Sequence, residues 1–257
     1  MIETGLIEYV IALIGGFFAG IVNSLAGNGS AITLTILTEV LDLPGNIANG
    51  TNRLGVFSAA VGAYLGFRKN KRIEYSQSKL ILITILFGAL CGVIVAAFYT
   101  SNNAFMEVFK YMMLLMLPIL LLRPKRWLHN EKQTTRIPIL LRVFLYLILG
   151  FYAGFIQMGM GIFFLVIAVL LDGFDLFSAN IIKNLAVLIL TTIALMIFQY
   201  QGLVNWRLGG VLALGQVTGA FLAVNLAAKS AKANEWTYRL LIFIIIMANL
   251  KLFGVFG

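Results

Sequence analysis

The chain has 257 residues, 61% apolar and 11% charged, with a mean hydropathy of +0.97 and a net charge of +9. Soluble domains run roughly 45–50% apolar and about 25% charged, so this composition excludes an ordinary aqueous domain and makes lipid the solvent. Apolar runs divided by short loops leave no room for a separate soluble domain, and a single all-α polytopic membrane domain over residues 1–257 is expected.

Fourteen of the nineteen Lys and Arg residues fall in the windows 68–79, 123–142 and 229–239, each between apolar runs. Clustering of that kind marks cytoplasmic loops. Nucleic acid requires a continuous basic face instead, so no nucleic-acid partner is expected. Cys91 and His129 are the single cysteine and the single histidine, which excludes a disulfide framework and a zinc site; neither a metal nor a cofactor is expected. Met1 to Gly20 has no Lys or Arg ahead of its apolar run, so it reads as a retained membrane helix rather than a cleaved signal.

In chain order the candidate spans lie near 5–26, 30–43, 47–67, 79–99, 105–122, 138–158, 161–171, 178–200, 207–228 and 236–254. At 1.5 Å per residue, 30–43 and 161–171 reach only about 21 and 17 Å, short of a hydrocarbon core near 30 Å, and they read as half-helices that span or re-enter. With the three basic windows in the cytoplasm, both termini and the loops at 100–104 and 201–206 fall outside, and those two loops carry no Lys or Arg. In a bacterium this is the inner membrane, with both termini periplasmic.

The two short segments hold matching places in the two halves. Gly16-Phe17-Phe18-Ala19-Gly20 matches Gly150-Phe151-Tyr152-Ala153-Gly154, and Gly27-Asn28-Gly29 matches Gly159-Met160-Gly161 after a two-residue gap. Asn52 then matches Asn184, Ile73-Glu74-Tyr75 matches Val204-Asn205-Trp206, and Gly88 with Gly92 matches Gly215 with Gly219. Five ordered matches indicate a duplication: repeat one over 5–122, a cytoplasmic linker over 123–137 and repeat two over 138–254. Five segments per half is odd, so the second copy enters the membrane the other way up. Inverted repeats with Gly-interrupted segments at matching positions point to a secondary transporter with a midplane site at the repeat interface. Broken helices bring backbone N–H groups into a low-dielectric medium, which favours a small anion.

Polar residues inside spans need a partner, a cavity or a substrate. Asn23, Ser24, Gly27, Asn28, Gly29 and Ser30 surround the first break, and Asn49, Thr51, Asn52 and Arg53 open the third segment. The second half supplies Gln157, Gly159, Met160, Gly161, Asn180, Lys183 and Asn184. In the functional reading Arg53 and Lys183 neutralise the anion while amides, hydroxyls and backbone N–H groups donate to its oxygens. Against it stand snorkelling to an interface and, for Arg53, pairing with Glu39 or Asp42. Glu39 is the carboxylate most nearly embedded in a span and is the candidate for proton coupling, although an interfacial place suits it better. Gln216 beside Gly215 is assigned to helix packing. With one histidine and no phosphate-binding Gly-Lys-Ser/Thr loop, neither an intramembrane hydrolase nor an ATP-driven pump is expected.

The order Gly-aromatic-aromatic-Ala-Gly, Gly-x-Gly turn, short apolar helix and Asn-rich helix start, repeated twice, resembles the TauE/SafE family of bacterial sulfite exporters over nearly the whole chain. The resemblance implies a permease for sulfite or a related small sulfur-containing anion, driven by an ion gradient, with its Gly-rich breaks at Gly27 to Gly29 and Gly159 to Gly161. Asn28 and Met160 interrupt what is commonly a run of Gly in relatives. A proton as coupling ion and a homodimer are compatible with this reading. An anion channel and a non-transport assembly factor or receptor are the alternatives.

Overall fold

The computed structural model describes residues 5–67, 78–121, 137–174, 176–227, 242–243 and 245–254. Residues 68–77 of the first basic window, 123–136 of the second, all of the third at 229–239, and the first part of the expected 236–254 span lie outside the described residues. The described residues form helices and connecting turns, with no strand among them.

Repeat one comprises α1 (Leu6–Ala26), α2 (Gly29–Thr35, continued by π-helical turns to Val40), α3 (Gly45–Phe67), α4 (Lys79–Ile94, continued to Tyr99) and α5 (Asn102–Leu121). Repeat two comprises α6 (Ile139–Phe155), α7 (Met160–Leu165, continued to Leu171), α8 (Leu176–Tyr200) and α9 (Trp206–Ala227). A last helical stretch follows at 245–252. Among the described residues three helices, Leu6–Ser24, Lys79–Tyr99 and Ser178–Tyr200, are long and apolar enough to cross a membrane. Their outward side chains are bare hydrocarbon: Ile83, Phe87, Phe18 and Met196 are exposed, and in this protein that surface meets lipid.

The two short segments are interrupted helices, Gly29–Val40 and Met160–Leu171. Each reaches about 18 Å at 1.5 Å per residue. They end in the same way. Leu41 and Leu43 N–H groups donate to Ile36 and Leu37 carbonyls, and Asp172 and Phe174 N–H groups donate to Ile167 and Ala168 carbonyls, all at 2.9 Å. A wide π turn closes the helix in both copies, and a residue with positive φ follows, Asp42 at 49° and Gly173 at 74°.

Helix directions follow from which residues touch. Gly16 packs against Leu212 and Gly20 against Gln216, so α1 runs parallel to α9; Gly55 against Leu212 and Gly62 against Val217 make α3 parallel to α9 as well. In the other set Gly88 packs against Leu147 and Gly92 against Phe151, making α4 parallel to α6. Early α4 residues cluster with Val187 and Leu190 and late ones with Ala194 and Phe198, so α8 joins that direction. The two sets oppose each other: Gly50 at the start of α3 meets Phe198 at the end of α8, and Asn49 and Arg53 reach the Phe155 and Ala153 carbonyls of α6 in descending order. The repeats are therefore inverted.

They are also interlocked. Gly16 and Gly20 of α1 lie on Gly215 and Gly219 of α9, and Gly150 and Gly154 of α6 lie on Gly88 and Gly92 of α4. These are the four Gly pairs matched in the sequence, and each pair finds its partner in the opposite half. Without Cβ atoms the backbones approach until a Cβ at Gly16 would sit 2.5 Å from the Leu212 carbonyl oxygen. Small residues give membrane helices their packing because lipid offers no hydrophobic drive to bring them together.

One buried ion pair was not foreseen. The Asp172 carboxylate, at the end of the second short helix, lies 2.5 Å from an Arg142 guanidinium nitrogen, with the Tyr146 hydroxyl donating to it at 3.4 Å. Its side chain is fully buried while Arg142 keeps 18% exposure. Arg142→Met deprives a buried carboxylate of its cation and is expected to cost on the order of 2–4 kcal/mol, read as a lower thermal midpoint in detergent.

Candidate functional site

A helix that stops inside a membrane leaves its last carbonyls without partners, and no water is at hand to satisfy them. The two breaks solve this differently. After α1, Gly27 takes a left-handed conformation (φ 72°) and its N–H donates to both Val22 and Asn23 carbonyls, a turn that glycine adopts without steric cost. After α6, Gln157 takes the left-handed region at φ 62°, and the Tyr152 hydroxyl ties down the Met158 carbonyl. The freed α6 carbonyls are capped from the other repeat. Arg53 of α3 donates to Ala153 at 2.9 Å, Gly154 at 2.7 Å and Phe155 at 3.2 Å, and Asn49 donates to Phe155 at 2.8 Å.

Arg53 thus stands elsewhere than the sequence reading placed it. It is fully buried, also donates to Gln157 Oε1 at 2.8 Å and Asn49 Oδ1 at 3.2 Å, and lies 5.4 Å from the centroid of the Phe198 ring. It pairs with neither Glu39 nor Asp42, and it does not snorkel. Glu39 is half-buried, with its backbone carbonyl accepting from Lys251 Nζ, at the far end of the first short helix.

The breaks themselves touch. A Cβ at Gly27 would lie 2.8 Å from the Gly161 Cα, and one at Gly161 would lie 2.6 Å from the Gly27 Cα. Beside this contact opens a small pocket, a cavity of about 10 Å³, whose wall comprises Asn23, Gly27, Ser30, Gln157, Met160, Gly161, Lys183 and Asn184 together with Val56 and Val187. The first eight were candidates from sequence. The two valines were not, because nothing separates them from other span valines until α3 and α8 are seen to cross here.

The remaining candidates stand behind that wall. Asn180 Oδ1 accepts from Lys183 Nζ at 2.8 Å. Asn52 Oδ1 accepts from the Thr33 hydroxyl, and Thr51 Oγ1 accepts the Asn205 N–H at 2.9 Å, which fixes the start of α9 on α3. Asn28-Gly29-Ser30 and Asn49-Gly50-Thr51 have the form of glycosylation acceptors, but Asn28 and Asn49 are buried, and such a site requires an exposed loop. Asn28 Nδ2 faces the Met116 sulfur at 3.9 Å, Gly29 packs on Ala19 and Asn23 of α1, and Gly159 supplies a left-handed turn at φ 70°. Ser24 is buried near the end of α1.

Electrostatically the pocket is one-sided. Lys183 is 2% exposed, and among the described residues no carboxylate lies within 4 Å of its ammonium. Gln157 Nε2 and Asn184 Nδ2 are buried without hydrogen-bond partners. A buried ammonium is costly unless compensated, and spare N–H donors cost free energy when nothing accepts from them. An anion with several acceptor oxygens satisfies all three groups.

Inverted interlocked repeats, paired broken helices and a polar pocket where the breaks meet define a multi-pass membrane protein of the transporter class. The family model for sulfite exporter TauE/SafE matches residues 12–252, and the chain belongs to that family. Among its curated relatives it is similar to a "probable membrane transporter protein" of Haemophilus influenzae, 28% identical over 84% of each chain. It is also similar to YfcA of Escherichia coli K12, 26% identical over 82% of this chain and 76% of the relative, and to the ORF9 transporter protein of a Sinorhizobium species, 25% identical over 85% and 83%. No solved structure matches the chain.

Proposed function

We propose that the protein is a secondary transporter for a small sulfur-containing oxyanion, sulfite or an organosulfonate, working by alternating access around the pocket between the inverted repeats. The observation that carries this reading is the Lys183 ammonium, buried without a carboxylate among the described residues, beside two unpartnered amide donors where the helix breaks meet. The family supports the transport class, and the donor chemistry supports an oxyanion.

In this mechanism Lys183 supplies the counter-charge, while Gln157, Asn184, Asn23 and Ser30 supply hydrogen bonds. The interlocked Gly faces, α1 on α9 and α4 on α6, move as two rigid bodies about the Gly27–Gly161 contact, exposing the pocket to one side and then the other. The positive-inside rule applied to the basic windows supports termini in the periplasm, and Glu39 is the carboxylate assigned to proton exchange.

The test is sulfite flux into liposomes carrying the purified protein, with and without an imposed pH gradient. Uptake is expected to saturate with sulfite concentration and to respond to the gradient. Flux that rises linearly indicates a channel, and no flux above protein-free liposomes overturns the transport reading.

A further inference from the structure

We infer that the site prefers oxyanions that carry no O–H over those that do, and that Arg53 enforces this preference as a positioning residue acting through Gln157. The inference rests on the oxyanion-transport reading above and goes on to what the site excludes.

A primary amide offers one acceptor oxygen and two N–H donors, so whichever end is engaged elsewhere decides what the other end presents. A guanidinium has only donors. Arg53 Nη1 bonds to Gln157 Oε1 at 2.8 Å, which engages the amide oxygen and leaves Nε2, buried without a partner, as the end of the amide free to meet a ligand. Arg53 cannot release that oxygen at will, because its Nη1 and Nη2 groups also hold the Ala153, Gly154 and Phe155 carbonyls and Asn49 Oδ1. Lys183 treats Asn180 in the same way, taking Oδ1 at 2.8 Å while two ammonium donors remain. Asn184 adds an unpartnered Nδ2.

The charged and amide groups whose orientation is fixed therefore all donate. Asn23, Ser30 and Asn184 complete the polar wall and can turn to donate as well as accept. An anion whose oxygens all accept satisfies this wall. An anion of similar size bearing an O–H finds an acceptor only where Asn23, Ser30 or Asn184 turns its oxygen to it; directed at Lys183 or Gln157, the O–H loses one hydrogen bond and leaves a buried donor unmatched. A site whose buried polar groups are left unpaired discriminates strongly, and one such mismatch corresponds to about a tenfold or greater preference.

Sulfate and inorganic phosphate at neutral pH isolate the effect, since they share size and shape but every phosphate there carries an O–H. Competition against sulfite uptake in liposomes is expected to need at least about tenfold more phosphate than sulfate in the unaltered protein. Gln157→Glu keeps a partner for Arg53 but turns an acceptor toward the pocket, so the sulfate-to-phosphate ratio is expected to move toward phosphate by roughly tenfold or more, with the thermal midpoint retained. Arg53→Gln frees Gln157 to rotate and is expected to bring the ratio toward one, a change that a purely structural arginine would not produce.

Sulfate competing no better than phosphate in the unaltered protein overturns the inference without any variant. A folded Gln157→Glu protein that keeps the original ratio overturns it as well. Absence of any sulfite uptake by the unaltered protein is a different failure, since it removes the transport reading on which the inference stands.

Discussion

Lys183→Met is expected to abolish high-affinity sulfite uptake while leaving the thermal midpoint in detergent unchanged or higher. Lys183 is 2% exposed and, among the described residues, its ammonium bonds to Asn180 Oδ1, so the empty protein bears the desolvation cost of a charge with little in return. Methionine fills similar volume without that cost. Losing a charge-assisted hydrogen bond to the anion removes about 1.5–3 kcal/mol, roughly a ten- to hundredfold rise in the sulfite concentration for half-maximal uptake. Opposite movements of stability and binding are the signature of a group kept for function. A lower midpoint with unaltered uptake would show instead that Lys183 holds the fold together.

Gly161→Ala is expected to have the second large effect, and to do so through backbone rather than charge. Position 161 lies inside α7, where alanine is intrinsically the better helix former by up to about 1 kcal/mol. Its Cβ would nevertheless meet the Gly27 Cα at 2.6 Å and the Gly27 carbonyl oxygen at 2.7 Å. These are main-chain atoms on the facing break and cannot rotate aside, so the two breaks must separate, at about 1–3 kcal/mol for overpacking. Sulfite uptake is expected to fall at least tenfold while helix content by circular dichroism is preserved. Gly210→Ala is the control: it is also helical, a Cβ there would meet nothing within 4 Å, and uptake and stability are expected to hold or improve slightly. If the two variants behave alike, the Gly27–Gly161 contact has no mechanical importance.

Much of the site was legible because membrane physics narrows the reasons for a polar residue. In water, Asn23, Gln157 or Asn184 would pass as surface side chains. Inside apolar runs they needed an explanation, and they do converge on one pocket with Gly27, Ser30, Met160, Gly161 and Lys183. The repeat matches were equally informative, since Gly16/Gly20, Gly88/Gly92, Gly150/Gly154 and Gly215/Gly219 all lie at helix crossings. Arg53 shows where such reasoning ends. Its spacing resembled that of Lys183, but a guanidinium reaches far, and whether it meets substrate or the orphan carbonyls of another helix depends on where α6 stops. That stopping point, at Phe155, also shortened the expected 138–158 span. Asp172 was missed for a related reason: it reads as a loop residue until α6 brings Arg142 and Tyr146 against it.

The sequence by itself determined the solvent, the helical class, the duplication and its inversion. These depend on composition, on run lengths set against bilayer thickness, and on the parity of crossings, all local or additive properties of the chain. Only the tertiary structure decided that each Gly face pairs with the opposite half, that the two breaks touch, and that of two intramembrane cations one lines the pocket while the other caps a helix. Those outcomes depend on which backbone groups are left unsatisfied where helices cross, and that is fixed by packing between segments some hundred residues apart, as in the Arg53–Gln157 bond.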